Sequence, residues 1–168
     1  MQSSPDGPIA WLTAWLSRSA LSRLLQDVEW LVPAIQTIHI LAVALLASSV
    51  VLLTLAVFGR YGREQPLTRA ATRFGTAIRV ALPVLLASGA LMITAEPGRA
   101  LPNPAFQLKM ALVVAAAVLT GVGVRHLARA GAPAAPPGIA LRAAASLALA
   151  LWLGALVAGR WIAYTLAH

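Results

Sequence analysis

Cysteine is absent from all 168 residues, which removes disulfides, thiolate nucleophiles and cysteine-ligated metal from consideration. Charge is scarce as well: 11% of residues carry it, against roughly 25% in a soluble domain. Acids are the scarcest, five against thirteen lysines and arginines. Histidine occurs three times, with neither an HExxH spacing nor a two-histidine, one-carboxylate set, so zinc and non-haem iron catalysis have no ligand pattern to stand on. No catalytic motif of any other kind is present, and the sequence assigns no reaction. The first nine residues, MQSSPDGPI, hold no lysine or arginine, so they lack the positive region that opens a secretory signal and read as a mature start.

What is abundant is apolar sequence. Hydrophobic residues make up 60% of the chain and the mean hydropathy is +0.80, which places it among integral membrane proteins. The formal net charge of +8 would point a soluble chain toward nucleic acid. Here the arginines flank hydrophobic segments, where they set topology instead, and nucleic acid is not an expected partner; the lipid bilayer is.

Four segments are long and apolar enough to cross the bilayer, which needs about 20 residues. The leading one, WLVPAIQTIHILAVALLASSVVLLTLAVF, runs from Trp30 to Phe58. The spacing predicts spans over about 28–58, 76–96, 105–126 and 139–166 in a single all-α domain, an integral membrane four-helix bundle. Asp6 or Gly7 followed by Pro8 marks a helix start. The segment from about 8 to 26 is too interrupted by Arg18, Arg23 and serines to span, and its Trp11 and Trp15 suit a helix lying at the membrane interface. Pro66 to Arg79 reads as an interfacial helical extension feeding the second span. Pro83 lies near the middle of that span and is expected to bend it. Ala117 and Gly121 form a small-xxx-small pair on the third span. The stretch ARAGAPAAPPG is a connector.

The arginines orient the bundle. Connectors one and three hold Arg60, Arg63, Arg69, Arg73, Arg79, Arg125, Arg129 and Arg142 against the single acid Glu64. The positive-inside rule then places this side in the cytoplasm and both termini outside. The expected location is a bacterial inner membrane.

Depth decides which polar residues could meet. His39 lies roughly 13 Å below Trp30 at ~1.5 Å per residue. Lys109, Met92, Met110, Arg160 and Tyr164 fall at shallower levels of the same outer half, and Gln36 shares a face with His39. A polar constellation is therefore expected on the outer side, the candidate ligand or cofactor site being His39, Gln36, Lys109, Arg160, Tyr164 and Met92. Intramembrane ionisable groups usually face protein. The structural alternatives are a histidine bonded within the helix packing and cations reaching to the headgroups, with Glu29 and Glu96 pairing to them as an external lid. A bis-histidine haem is disfavoured, because His126 sits roughly 15 Å from the level of His39 and His168 at the outer extremity. His39 with Met92 is the less strained haem b pair.

The order Trp30-Leu-Val-Pro33, Gln36-Thr-Ile-His39, Asn103-Pro104-Ala-Phe106-Gln-Leu-Lys109 and Gly159-Arg160-Trp161-Ile162-Ala163-Tyr164 resembles a family of small bacterial inner-membrane proteins with four helices and no settled function. It covers about Val28 to Tyr164. The resemblance implies that His39, Lys109 and Arg160 are the residues to watch. More distantly the chain is similar to copper-resistance membrane proteins and b-type cytochromes, from which it departs by lacking paired histidines within its spans. Three functional classes follow: a redox accessory or membrane-anchor subunit with haem b or a quinone beside a periplasmic or membrane redox partner; a non-catalytic scaffold or assembly protein; and a small transport component, which would require a homo-oligomer.

Overall fold

The computed structural model describes residues 7–62, 65–129 and 137–165, with side chains as far as Trp161. Asp6, Arg63, Glu64, Pro136 and His168 lie outside the described residues. Among the described residues seven helices follow in order: α1 Pro8–Ser17, α2 Ala20–Asp27, α3 Leu31–Val57, α4 Leu67–Ala95, α5 Pro97–Ala100, α6 Pro104–Arg129 and α7 Ile139–Thr165. Among the described residues there is no strand. Four of these helices, α3, α4, α6 and α7, are long and apolar enough to cross a membrane. The protein is an all-α membrane bundle with short helices added at one end.

Local chemistry sets the helix limits. Gly7 precedes α1 at φ 116°, a conformation open to glycine, and Pro8 occupies the first turn. The single interfacial helix expected over 8–26 is two, because the Ser19 hydroxyl accepts the Ser22 N–H at 3.1 Å and starts a second helix there. Pro33 falls in the first turn of α3, where its missing N–H has no intrahelical partner to lose. The expected extension over 66–79 and the second span are one helix, and α4 continues through Pro83 to Ala95. Pro83 is on an exposed face, so the donor it lacks is missing from the lipid side rather than from the core. The buried Asn103 begins α6 by accepting the Ala105 N–H at 2.9 Å.

The helices pair as two hairpins, α3 with α4 and α6 with α7, joined along two thinner seams, α3 with α7 and α4 with α6. Buried positions recur at alternating steps of three and four, the 3.5-residue period of left-handed bundle packing. On α3 they are Ile35, Ala42, Leu46, Ser49 and Leu53; on α4, Ala71, Phe74, Ile78, Ala81, Leu85 and Ser88. Ala42, Leu46, Ile78, Ala81, Leu85, Val113, Ala116, Trp152 and Ala155 form the central apolar cluster. Trp152 donates from Nε1 to Thr120 Oγ1 at 3.1 Å inside it, joining α6 to α7.

Close approach between helices occurs at glycines other than the one singled out by pattern. A Cβ on Gly75 would lie 2.5 Å from Val124 Cγ1, whereas one on Gly121 would meet nothing within 4 Å. The Ala117–Gly121 pair therefore is not where backbones approach most closely; α4 and α6 meet at Gly75.

The helical additions cover one end. α1 lies against α5, and α2 packs on α4 and α3 through Leu25, which joins Ile35, Ala95, Leu91 and Met92 in an apolar cluster. Gln26 donates to the Ala95 carbonyl at 2.8 Å, capping the last turn of α4. Trp11, Trp15, Trp30 and Trp161 are exposed around this end, with the rings of Trp11 and Trp15 stacked at 6.3 Å. At the other end, Leu53, Val57, Ala71, Phe74 and Leu127 close the bundle beneath the arginine-rich surface.

Candidate functional site

The three-four seam carries polar residues at one level near the tryptophan end. Continuing the buried positions gives His39 on α3 between Ile35 and Ala42, Ser88 on α4 after Leu85, Lys109 on α6 before Val113 and Gly159 on α7 after Ala155. One helical rise after another puts His39 about 12 Å below Leu31, Ser88 about 10 Å below Ala95 and Lys109 about 8 Å below Pro104. Each helix of the bundle thus gives a residue other than an aliphatic one to the same layer.

Within α3 and α4 the geometry is fixed by hydrogen bonds. His39 Nδ1 lies 2.9 Å from Ser88 Oγ. The Ser88 hydroxyl approaches the Val84 carbonyl at 2.6 Å and the Leu85 carbonyl at 3.2 Å, and a carbonyl can only accept, so the single serine proton is committed there. Nδ1–H must therefore be the donor to Ser88 Oγ. The neutral imidazole then carries its lone pair on Nε2, the atom able to accept a proton, a hydrogen bond or a metal. The ring rests over Gly89, where an added Cβ would stand 3.4 Å from Cε1. His39 is half-buried and Ser88 buried.

Lys109 supplies the charge. Its side chain lies along the backbone of α7 at Gly159, with Cε and Nζ each 3.4 Å from where a Cβ would stand. The absence of a side chain at Gly159 is what lets the ammonium stay between helices rather than extend to the headgroups. Lys109 is half-buried, has no hydrogen-bond or ion-pair partner among the described residues, and lies within electrostatic reach of His39. The acidic lid does not form: Glu96 pairs with Arg99, three residues on, at 2.7 Å and in the open, because the two share a turn of backbone at α5. Glu29 is exposed.

Of the expected constellation, His39 and Lys109 come together. Gln36 is exposed one turn away. Met92 is one turn beyond Ser88 on α4 and packs in the apolar cluster with Leu25 and Ile35. Arg160 adjoins Gly159 and is exposed, and the Tyr164 side chain lies outside the described residues. Ser88, Gly89 and Gly159 were not among the expected residues. Their signal was available: all three lie on or beside the three-four register that also holds His39 and Lys109. Among the described residues no group of three His, Asp or Glu side chains could hold a metal ion.

Two apolar hairpins packed antiparallel, with interfacial tryptophans at one end and arginines at the other, define an integral membrane four-helix protein. More narrowly, the chain belongs to a family of unknown function, DUF6644, which matches residues 30–165. The match takes in all four spans and leaves out α1 and α2. No curated protein and no solved structure matches the chain.

Proposed function

We propose that the protein is a membrane-anchor or accessory subunit that holds a quinone-type ligand between His39 and Lys109, in the outer half of the bacterial inner membrane with both termini outside. The observation carrying this reading is the 2.9 Å contact of His39 Nδ1 with Ser88 Oγ, within electrostatic reach of a half-buried ammonium, Lys109, that has no hydrogen-bond or ion-pair partner among the described residues; with Nδ1–H donated to Ser88, Nε2 is the ring atom left to a ligand. A quinone carbonyl accepts from Lys109, and the hydroxyl of the reduced quinol donates to Nε2. On oxidation of such a quinol the imidazole would accept one of the two protons and water at the outer mouth the other, while both electrons go to the partner. The ligand's own solubility in lipid brings it to a position roughly 10 Å below the interface. Electrons would pass to a periplasmic or membrane-bound redox partner, and Arg160 and Gln36, near the mouth, contribute polarity there.

A second reading rests on a different property of the same contact. The His39–Ser88 bond ties α3 to α4, which is what a scaffold or assembly protein needs and all that it needs. A haem b between His39 and Met92 would require Met92 to leave its apolar cluster. The purified protein in mild detergent separates the three. A short-tailed benzoquinone bound by the parent and lost in Lys109→Met, with the helical spectrum unchanged, supports the quinone site. Absence of binding with a colourless, metal-free parent leaves the scaffold. A Soret band lost in His39→Ala gives haem.

A further inference from the structure

A concavity lies at the opposite end of the bundle from His39. A cleft of about 130 Å³ opens between the end of α3 and the start of α4, lined by Gly59, Tyr61, Gly62, Gln65, Arg69 and Arg73. The turn that forms its floor needs glycine twice: Gly59 and Gly62 adopt φ 65° and 64°. Gln65 N–H donates back to the Gly62 carbonyl at 2.9 Å and closes the loop onto α4. Phe74, buried beneath, takes the tilted Tyr61 ring at 5.9 Å and the Arg73 guanidinium at 5.8 Å, so one aromatic side chain positions both.

Among the described residues, the charges in this cleft have no carboxylate partner. α4 starts behind Pro66 without a capping side chain and without an acid in its first turn, and a helix start is itself electropositive. Arg69 and Arg73, one turn apart, add two full positive charges at the same place. Neither has a carboxylate partner among the described residues, and the connector's single acid, Glu64, lies outside them. A guanidinium pair with neighbouring hydroxyl and amide donors is the donor set that phosphate oxygens accept from.

We infer that this cleft binds a phosphate-bearing ligand, its oxygens held by Arg69 and Arg73 with Tyr61 and Gln65 completing the donor set. The phosphodiester of an anionic lipid headgroup and free inorganic phosphate share this chemistry. The cleft's place at the end of two spanning helices, with the exposed Tyr61 in its lining, favours the lipid. The site is independent of the His39 layer and does not rest on the quinone reading.

The test is lipid retention by the full chain, purified in mild detergent and read by native mass spectrometry with added phosphatidylglycerol or with diacylglycerol of the same acyl chains. The parent is expected to retain phosphatidylglycerol in preference to diacylglycerol. Arg69→Gln/Arg73→Gln should lower that retention roughly fivefold or more, since charge-assisted bonds to phosphate are the strong ones. Arg125→Gln/Arg129→Gln, at the same end but away from the cleft, should leave it unchanged. Arg69→Lys/Arg73→Lys keeps the charge that sets topology and loses the planar fork, and roughly threefold weaker retention is expected of it. Displacement of the lipid by millimolar inorganic phosphate would assign the site to the free ion, and failure to displace would assign it to the headgroup. Equal retention of diacylglycerol, an equal loss in the Arg125/Arg129 variant, or unchanged retention in the Lys/Lys variant would each overturn the inference.

Discussion

The two ends of the bundle hold their cations in opposite ways. At the arginine end, Arg60, Arg69, Arg73, Arg79, Arg125 and Arg129 are exposed, Arg142 is half-buried with its guanidinium over the Phe58 ring, and the three-four seam beneath them is filled by Leu53, Val57, Phe74 and Leu127. At the tryptophan end cations are few, yet Lys109 stands on the seam itself and lies between helices. Register separates the two cases, not charge number. A cation off the seam reaches water or headgroups and orients the protein; one on the seam must find a partner inside. The histidine follows the same rule. His39 falls in seam register and meets Ser88, while His126 falls beside the buried Leu127 and is exposed.

If register governs, the most disruptive substitutions are those on the seam at closest approach. Gly75→Ala should lower stability by about 1–3 kcal/mol, the usual cost of overpacking, because Val124 Cγ1 stands 2.5 Å from the new methyl and branches close to its own backbone. Thermal unfolding in detergent checks this, and Val124→Ala in the same chain should restore most of the loss. Gly121→Ala, with open space around it, should change the midpoint very little. A large effect at Gly121 would break the comparison.

Next comes the tie between hairpin helices. Ser88→Ala removes the partner of His39 Nδ1, and about 1 kcal/mol of stability should go with the lost bond. The same variant frees the tautomer that presents Nε2, so ligand affinity should fall along with stability. A loss of stability with affinity intact would detach the site from the bond.

Much of this was legible in the residues. Four spans, the interfacial tryptophans and the arginine asymmetry are properties of composition and run length, and the helices occupy those runs. His39 and Lys109 were visible by depth. Depth alone could not select among the residues of one half: Gln36 and Met92 lie in the same outer half, one turn from the His39 layer, and make no contact in it. The three-four register, which does select, was present in the sequence; it becomes decisive once it is known which four faces meet. The Gln26 cap on Ala95 and the Glu96–Arg99 pair depend on how α2 and α5 fold over the end, and no periodicity in those short segments specifies that.

A smaller effect should follow from removing that cover. Gln26→Ala loses the 2.8 Å bond to the Ala95 carbonyl, worth about 0.5–1.5 kcal/mol, and should raise amide exchange in the last turn of α4 and in α2 while leaving the arginine end unaltered. The smallest change is expected at the rim. Trp11→Ser/Trp15→Ser removes exposed stacked rings, and should weaken contact of α1 with the bilayer, read as reduced quenching by lipid-borne quenchers, with no shift in the unfolding midpoint.

The account depends most on Lys109 being held inside the bundle for a ligand. Binding of a short-tailed benzoquinone to purified parent and Lys109→Met protein, measured by calorimetry with unfolding midpoints taken on the same samples, tests this directly. The expected result is at least about tenfold weaker binding in the variant, the scale of one lost charge-assisted hydrogen bond, together with a midpoint equal to or above the parent's, since an uncompensated charge has left the helix interface. No binding by the parent, or equal binding by both, would contradict the account and leave the His39–Ser88 contact as helix packing alone.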